Sequence, residues 1–243
     1  MLAGAGCNFV FAPDEAEFYP EAQIYEVMPP AALADILKGE FRPGFFTTVC
    51  TVVLKLLQWV QPAVAVFGQK DHQQLKVIAA MARQFALPVE VVSAPTVRAD
   101  DGLALSSRNG YLDEAEPVEA VALRKALSAL ADRARDAGAT LAALEREAVD
   151  ALTMRGWLPE SLTVRRRSDL LRPTEEQRPD IEPLVALGGL HAGRTAITVV
   201  SPRAPRGAST AAYRSARVGL SGVSGSSKRA CGSGWRAATM RCT

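Results

Sequence analysis

Apolar and polar positions change rhythm several times along this chain, and each rhythm predicts an element. The run AVAVF, residues 63–67, is short, uncharged and bounded by Pro62 and Gly68, the pattern of a strand covered on both faces. After it Leu75, Ile78, Ala82 and Phe85 recur at helical spacing, so an amphipathic helix follows. Upstream, Val49, Val52, Val53, Leu56, Leu57 and Val60 make a broad apolar helical face that ends before Pro62. PAALADILKGEFRPG, residues 30–44, predicts a helix that stops at Gly39. CNFVFAP (7–13) and PVEVVSAPTV (88–97) read as two further strands. Strands and helices alternating over short links are the pattern of a parallel sheet wrapped by helices. The strands in FVFAP, AVAVFG and VEVVSAP are therefore expected as parallel neighbours or near-neighbours.

The second half has a different order. Asp113 with Glu116 reads as a capping box opening a long helix through VEAVALRKALSALADRA, and Thr140 as the cap of another that ends at Gly156. SLTVRRRSDLL (161–171) alternates as an edge strand does, and PLVALGGLHAGRTAITVV (183–200) resembles a hairpin turning at Ala192-Gly193. From Ser201 the period is lost in a stretch rich in Ser, Gly, Ala and Arg with no apolar face, which predicts disorder. The expected architecture is α/β: a partial Rossmann-like parallel sheet over residues 1–108, a smaller α+β domain over 109–200, and a basic tail over 201–243.

Composition changes this picture in few places. The 243 residues are 48% hydrophobic and 22% charged, which permits a sizeable core. The net charge of +2 hides an asymmetry: residues 201–243 hold eight basic residues and no acid, so the first 200 carry −6. The charge of the body gives no ground for nucleic-acid binding, and no aromatic spacing in the tail supports an RNA-binding or membrane-binding arm. Of the four cysteines, Cys7 and Cys50 read as small core residues and Cys231 and Cys242 lie in the tail, with no metal-ligand pair. The longest apolar run is broken by Lys55 and falls short of the ~18 residues a membrane span needs. No signal peptide is visible, and a cytoplasmic protein is expected.

Two stretches carry candidate chemistry. In Gly68-Gln69-Lys70-Asp71, Asp71 is placed to cap the following helix, with Gln74 completing a capping box. Lys70 is then a cation at the positive end of a helix dipole, which is unfavourable unless an anion sits there too. The second stretch is LALSSRN, residues 103–109, where two hydroxyls and an arginine suit a polyanion. Taken singly, each reads equally as surface: a tight turn at Gly68 with a solvated Lys70, and a polar loop before a helix. Taken together they differ, because successive strands of a parallel sheet end on one edge, where ligands bind. Lys70 and Arg108 would then converge on one anion.

RPG followed by TVCTVVLKLLQWVQPAVAVFGQKDHQQL and PTVRADDGLALSSRNGYL closely resembles the pantothenate synthetase (pantoate–β-alanine ligase) family, with further likeness in FAP, EFYP, RRRSDLL and LVALG. The resemblance implies a nucleotidyltransferase-type Rossmann domain, a smaller C-terminal domain and a homodimer. It implies ATP-dependent condensation of (R)-pantoate with β-alanine through pantoyl adenylate, with Mg2+. By the same resemblance Gly68, Gln69, Lys70 and Asp71 form an ATP-binding turn, Val97 contacts the nucleotide, and Leu105, Ser106, Ser107 and Arg108 form a phosphate-binding loop. Gln74 holds pantoate, and Lys70 and Arg108 are the catalytic cations; no metal ligand is assigned. The family's His-x-Gly-His segment is expected upstream of FAP, and the sequence contains only His72 and His191. His72 stands where the family usually has Tyr, and RPGFFTTV stands for RPGHFRGV. The chain is therefore expected to be N-terminally truncated, with an inactive relic that keeps scaffold or dimer surface as the alternative to a working ligase.

Overall fold

A computed structural model describes residues 2–107, 109, 116–134, 138–174, 184–192 and 195–202. Residues 1–203 form one compact unit. Its first part carries three single-turn helices, α1 (Glu15–Phe18), α2 (Ala31–Ala34) and α3 (Lys38–Phe41), then the long helix α4 (Phe45–Val60). Strand β1 (Val64–Gly68) follows, then a 3-10 turn over Gln69–Asp71, helix α5 (His72–Gln84) and strand β2 (Glu90–Ala94). β1 and β2 pair in parallel, with Val64 opposite Glu90 and Gly68 opposite Ala94. The expected strand–helix–strand unit is present.

Helices α4 and α5 pack through Phe46, Cys50, Val77 and Met81, joined by Ala34 from α2. The buried face of α4 thus runs through Phe46 and Cys50, with Val53, Leu54 and Leu57 beside them, rather than through Val49, Val52 and Val60. On α5, Leu75, Ile78 and Ala82 are buried as their spacing predicts, but Phe85 is 55% exposed, just past the helix end. Gly39 does not stop a helix. It lies inside α3, and a Cβ there would fall on the carbonyl oxygen of Ala34, so the close packing of α2 on α3 requires glycine.

Two expected features of the sheet fail for one reason. Residues 7–13 form no strand, with Phe9 92% exposed, and Cys7 beside it is exposed rather than in the core. β1 is not covered on both faces: Val64 and Val66 face outward while Ala65 and Phe67 are half-buried toward the α5 side. An apolar run becomes a strand only when another strand accepts its hydrogen bonds, and among the described residues β1 and β2 are the whole parallel sheet.

The second part contains α6 (Glu116–Arg133), α7 (Leu141–Thr153) and strands β3 (Leu158–Arg166), β4 (Leu184–Ala192) and β5 (Thr195–Pro202). The strands form an antiparallel sheet in the order β3-β4-β5, so β3 is an edge strand as its alternation predicts. β5 continues through Ser201 and Pro202, just beyond the point where the sequence loses its period. The β4–β5 hairpin places Ala192 opposite Thr195, and the turn residues 193–194 lie outside the described residues, as do Asp113 and the tail from 203. Thr140 caps α7 by accepting from the Ala143 N–H at 3.2 Å. The core beneath the sheet is Leu123, Leu127, Leu152, Trp157, Leu162 and Ala186. Glu145, 8% exposed, is held there by the Thr163 hydroxyl and the Val164 N–H, each at 2.8 Å, and by Arg172 at 3.2 Å.

Candidate active site

Because β1 and β2 are parallel and end in register, the turn at Gly68–Asp71 and the segment after Ala94 leave the sheet at the same edge. A hydrogen bond from Gln69 Nε2 to Ser93 Oγ, 3.2 Å long, ties the turn to β2. β5 also runs beside the turn. Gly68 itself is extended, with φ −72° and ψ 139°, and a Cβ there would meet nothing within 4 Å. Neither the backbone nor the packing demands glycine, so the tight-turn explanation of Gly68 fails; what its missing side chain leaves is open space at the strand end. Such space suits close approach of a ligand to backbone.

The expected capping box is absent. Asp71 is the N-cap of α5, but its side chain makes no capping bond and instead pairs with Lys38 at 3.5 Å. Lys38 also lies over the Phe45 ring, 4.5 Å from its centroid. Lys70 is half-buried in the turn, and Gln74 is half-buried on the first turn of α5. With Asp71 drawn aside, the start of a 13-residue helix beside Lys70 keeps its positive character for an anion. The neighbouring Gln73, missed in the sequence, is buried: its Nε2 donates to Leu33 O (3.0 Å) and Ile36 O (2.7 Å), and its Oε1 accepts from Lys38 N–H (3.2 Å). It fixes the α2–α3 link, and with it Lys38, against α5. Only its place on the helix distinguishes it from Gln74.

After β2 the chain makes a narrow hairpin. Arg98 bridges Ala104, the Ala99 N–H donates to Leu103 O and the Leu105 N–H donates to Val97 O, both at 2.9 Å. Gly102, φ +92°, makes the bend and lies against the Arg124 guanidinium. Burial, and then the nearby Arg124, lowers the Arg98 pKa. Val97 is 66% exposed and Leu105 55%, with Ser106 half-buried and Ser107 exposed on the loop that follows. Arg108 lies outside the described residues, so its meeting with Lys70 is not among the observed contacts.

Neither histidine supplies a cation here. His72 is 4% exposed, and neither ring nitrogen has a hydrogen-bond partner among the described residues. Burial first, then Lys76 and Arg167, lowers its pKa to about 4, so it is neutral near pH 7. The backbone of His191 belongs to β4, in the other sheet. Among the described residues no three of His, Cys, Asp and Glu come together as a metal site.

The family model described as pantoate-beta-alanine ligase matches residues 1–198. A pantothenate synthetase of Leptothrix cholodnii is 56% identical over 195 residues, covering 80% of this chain and 68% of the relative. One of Paracidovorax citrulli is 53% identical over 200 residues, covering 80% and 70%. The crystal structure of pantothenate synthetase from Thermus thermophilus superposes with a TM-score of 0.76 at 35% identity, covering 84% of this chain and 72% of that one. The pantoate-beta-alanine ligase of Francisella tularensis, solved with beta-gamma ATP and beta-alanine, gives 0.64 at 25% identity, covering 83% and 67%.

Proposed function

This chain belongs to the pantoate-beta-alanine ligase family, and from that premise we propose that it carries out ATP-dependent condensation of (R)-pantoate with β-alanine. A carboxylate is a poor electrophile. A pantoate carboxylate oxygen attacks the α-phosphorus of ATP, pyrophosphate leaves, and the resulting pantoyl adenylate has AMP as a good leaving group. The amine of β-alanine then attacks the acyl carbon and AMP departs, giving pantothenate. The protein's part is to neutralise phosphate charge and align the reactants.

The roles follow the strand ends. Gly68, Gln69, Lys70 and Asp71 form the turn that the triphosphate approaches, with Lys70 and Arg108 as its cations. Ser106 and Ser107 donate hydroxyls to phosphate oxygens, Val97 and Leu105 lie along the nucleotide, and Gln74 binds pantoate. Mg2+ is assigned to the triphosphate oxygens as part of the substrate, a setting in which it keeps several waters, and no step is routed through a metal held by the protein. We assign ATP and pantoate to residues 1–108 and treat 109–200 as the small domain and 201–243 as a separate tail. A homodimer in the cytoplasm completes the reading. Among the described residues no helix is long and apolar enough to cross a membrane.

The observation that supports this reading best is the shared edge: Gly68 and Ala94 end paired parallel strands, and both candidate loops leave from them. The test is AMP release by the purified full chain with ATP, magnesium, pantoate and β-alanine. Release that needs all of them, with kcat/KM falling roughly 10²-fold in Lys70→Ala, is expected. The second reading, a non-catalytic scaffold, draws on the exposed Phe9 and Val66; release no faster than without enzyme would establish it instead.

A further inference from the structure

A phosphate-binding loop that must be ordered on ligand arrival loses affinity to that ordering, so whatever holds it beforehand contributes to binding. The loop of residues 105–108 is held at its entrance by the Leu105 N–H on Val97 O and by Ala104, which is 3% exposed and bridged to Arg98. Beneath it Leu103 packs into the core with Leu123, Leu127 and Trp157. The bend before it is tightened by Arg98, which donates to Gly102 O at 3.1 Å, and by Asp101, whose carboxylate accepts from the Leu103 N–H at 2.8 Å. At its exit one residue makes two bonds back into the loop. The side-chain Nδ2 of Asn109 donates to Ala104 O at 3.0 Å, and its backbone N–H donates to Ser106 O at 3.1 Å.

We propose that Asn109 is the positioning residue of the phosphate-binding loop: it joins the loop's exit to its buried entrance and so presets Ser106 and Ser107 for the ATP phosphates without touching them. This inference rests on the reading above, which assigns the phosphates to that loop. Asparagine suits the task because its side chain is short enough to turn back on neighbouring backbone and carries a donor for the carbonyl. Aspartate has nearly the same shape and only acceptors when ionised, so it would face Ala104 O with like polarity and add negative charge beside the triphosphate. Alanine removes the anchor and adds no charge.

The experiment uses the full chain in three forms: wild type, Asn109→Ala and Asn109→Asp. ATP and pantoate affinities are measured by calorimetry, thermal midpoints by circular dichroism, and exchange of the amides of residues 105–107 by hydrogen–deuterium mass spectrometry without nucleotide. Asn109→Ala is expected to weaken ATP binding roughly fivefold, the worth of one neutral hydrogen bond. Pantoate affinity and the thermal midpoint should hold close to wild type, and the loop amides should exchange faster. Asn109→Asp should bind ATP more weakly than Asn109→Ala. Unchanged ATP affinity in both variants, or unchanged loop exchange, overturns the inference. So does a parallel loss of ATP affinity, pantoate affinity and thermal midpoint, which marks a merely structural residue. A wild-type chain that binds no ATP overturns the functional reading itself, and is told apart from failure of the anchor because loop exchange is read without nucleotide.

Discussion

The carboxylate of Asp71 is turned from the helix it precedes toward Lys38, 3.5 Å away on α3. Three short-range pieces of sequence meet in that pair: the α2–α3 link held by Gln73, the turn after β1 and the start of α5. The pair is partly exposed, so its own contribution to stability is small, about 1 kcal/mol or less. Its electrostatic effect on the site is the larger one. Lys38→Ala leaves Asp71 as an unbalanced negative charge beside the expected triphosphate. Urea unfolding should move little while calorimetry shows weaker ATP binding; an unfolding shift of several kcal/mol would show that Lys38 acts through the fold instead.

Gly68 and Gly39 separate two uses of glycine. At Gly68 the backbone is compatible with alanine and the space is open, so Gly68→Ala should keep or raise stability, by about 0.4–1 kcal/mol through the unfolded chain. Nucleotide affinity should nevertheless fall, because the methyl group occupies the ligand's approach. Thermal melting and ATP titration on the same protein check both halves. A variant that binds ATP as wild type does would remove the phosphate from this strand end.

His72 gives the unit an acid-side weakness. Its ordinary pKa of 6.5 falls to about 4 on folding, through burial and then Lys76 and Arg167. Between those values the unfolded chain binds more protons than the folded one, so stability declines as pH falls through 6.5 toward 4 and is fully present above 6.5. The slope reaches at most about 1.4 kcal/mol per pH unit. His72→Phe keeps an apolar ring in the same place, and urea unfolding between about pH 7 and 4.5 should show a flatter profile than wild type. An identical profile would mean that His72 does not titrate in this window.

Glu145 bears on the second sheet alone. Removing its carboxylate leaves the Thr163 hydroxyl and the Val164 N–H buried without their acceptor and Arg172 without its counter-ion. Glu145→Ala should cost about 3 kcal/mol in urea unfolding, and Glu145→Gln less, since an amide oxygen can still accept from one donor. ATP affinity measured well below the lowered midpoint should be unchanged. Loss of ATP binding there would show that the two sheets are coupled.

Local rhythm carried the elements whose stabilising contacts are themselves local or periodic. Helices α4 to α7, the Thr140 cap and the parallel pairing of β1 with β2 all follow from apolar spacing read along one segment. Residues 7–13 have the same apolar look and form no strand, because pairing depends on a second chain segment that their own pattern does not describe. The site divides in the same way. Gly68 to Asp71 stand out as a chemical misfit in sequence, a cation at a helix start. Gln73 does not, since a glutamine becomes a structural clamp only through the carbonyls of Leu33 and Ile36 brought to it by folding. Asp71 failed as a cap for a similar reason: Lys38, distant along the chain, competes for its carboxylate.

The parallel ladder of β1 and β2 also sets an order of events. Its two strands are joined only through residues 69–89, most of which are α5, so the ladder closes when the helix has shortened the path between them. Strand pair and helix therefore open and close as one cooperative unit, with backbone amides of β1, α5 and β2 sharing a single opening free energy. The β3–β4 pair owes nothing to that helix. Its strands are joined through residues 167–183 and register by antiparallel contacts. Under native conditions the nucleotide edge can breathe while the antiparallel sheet stays shut, giving the molecule two separate clocks.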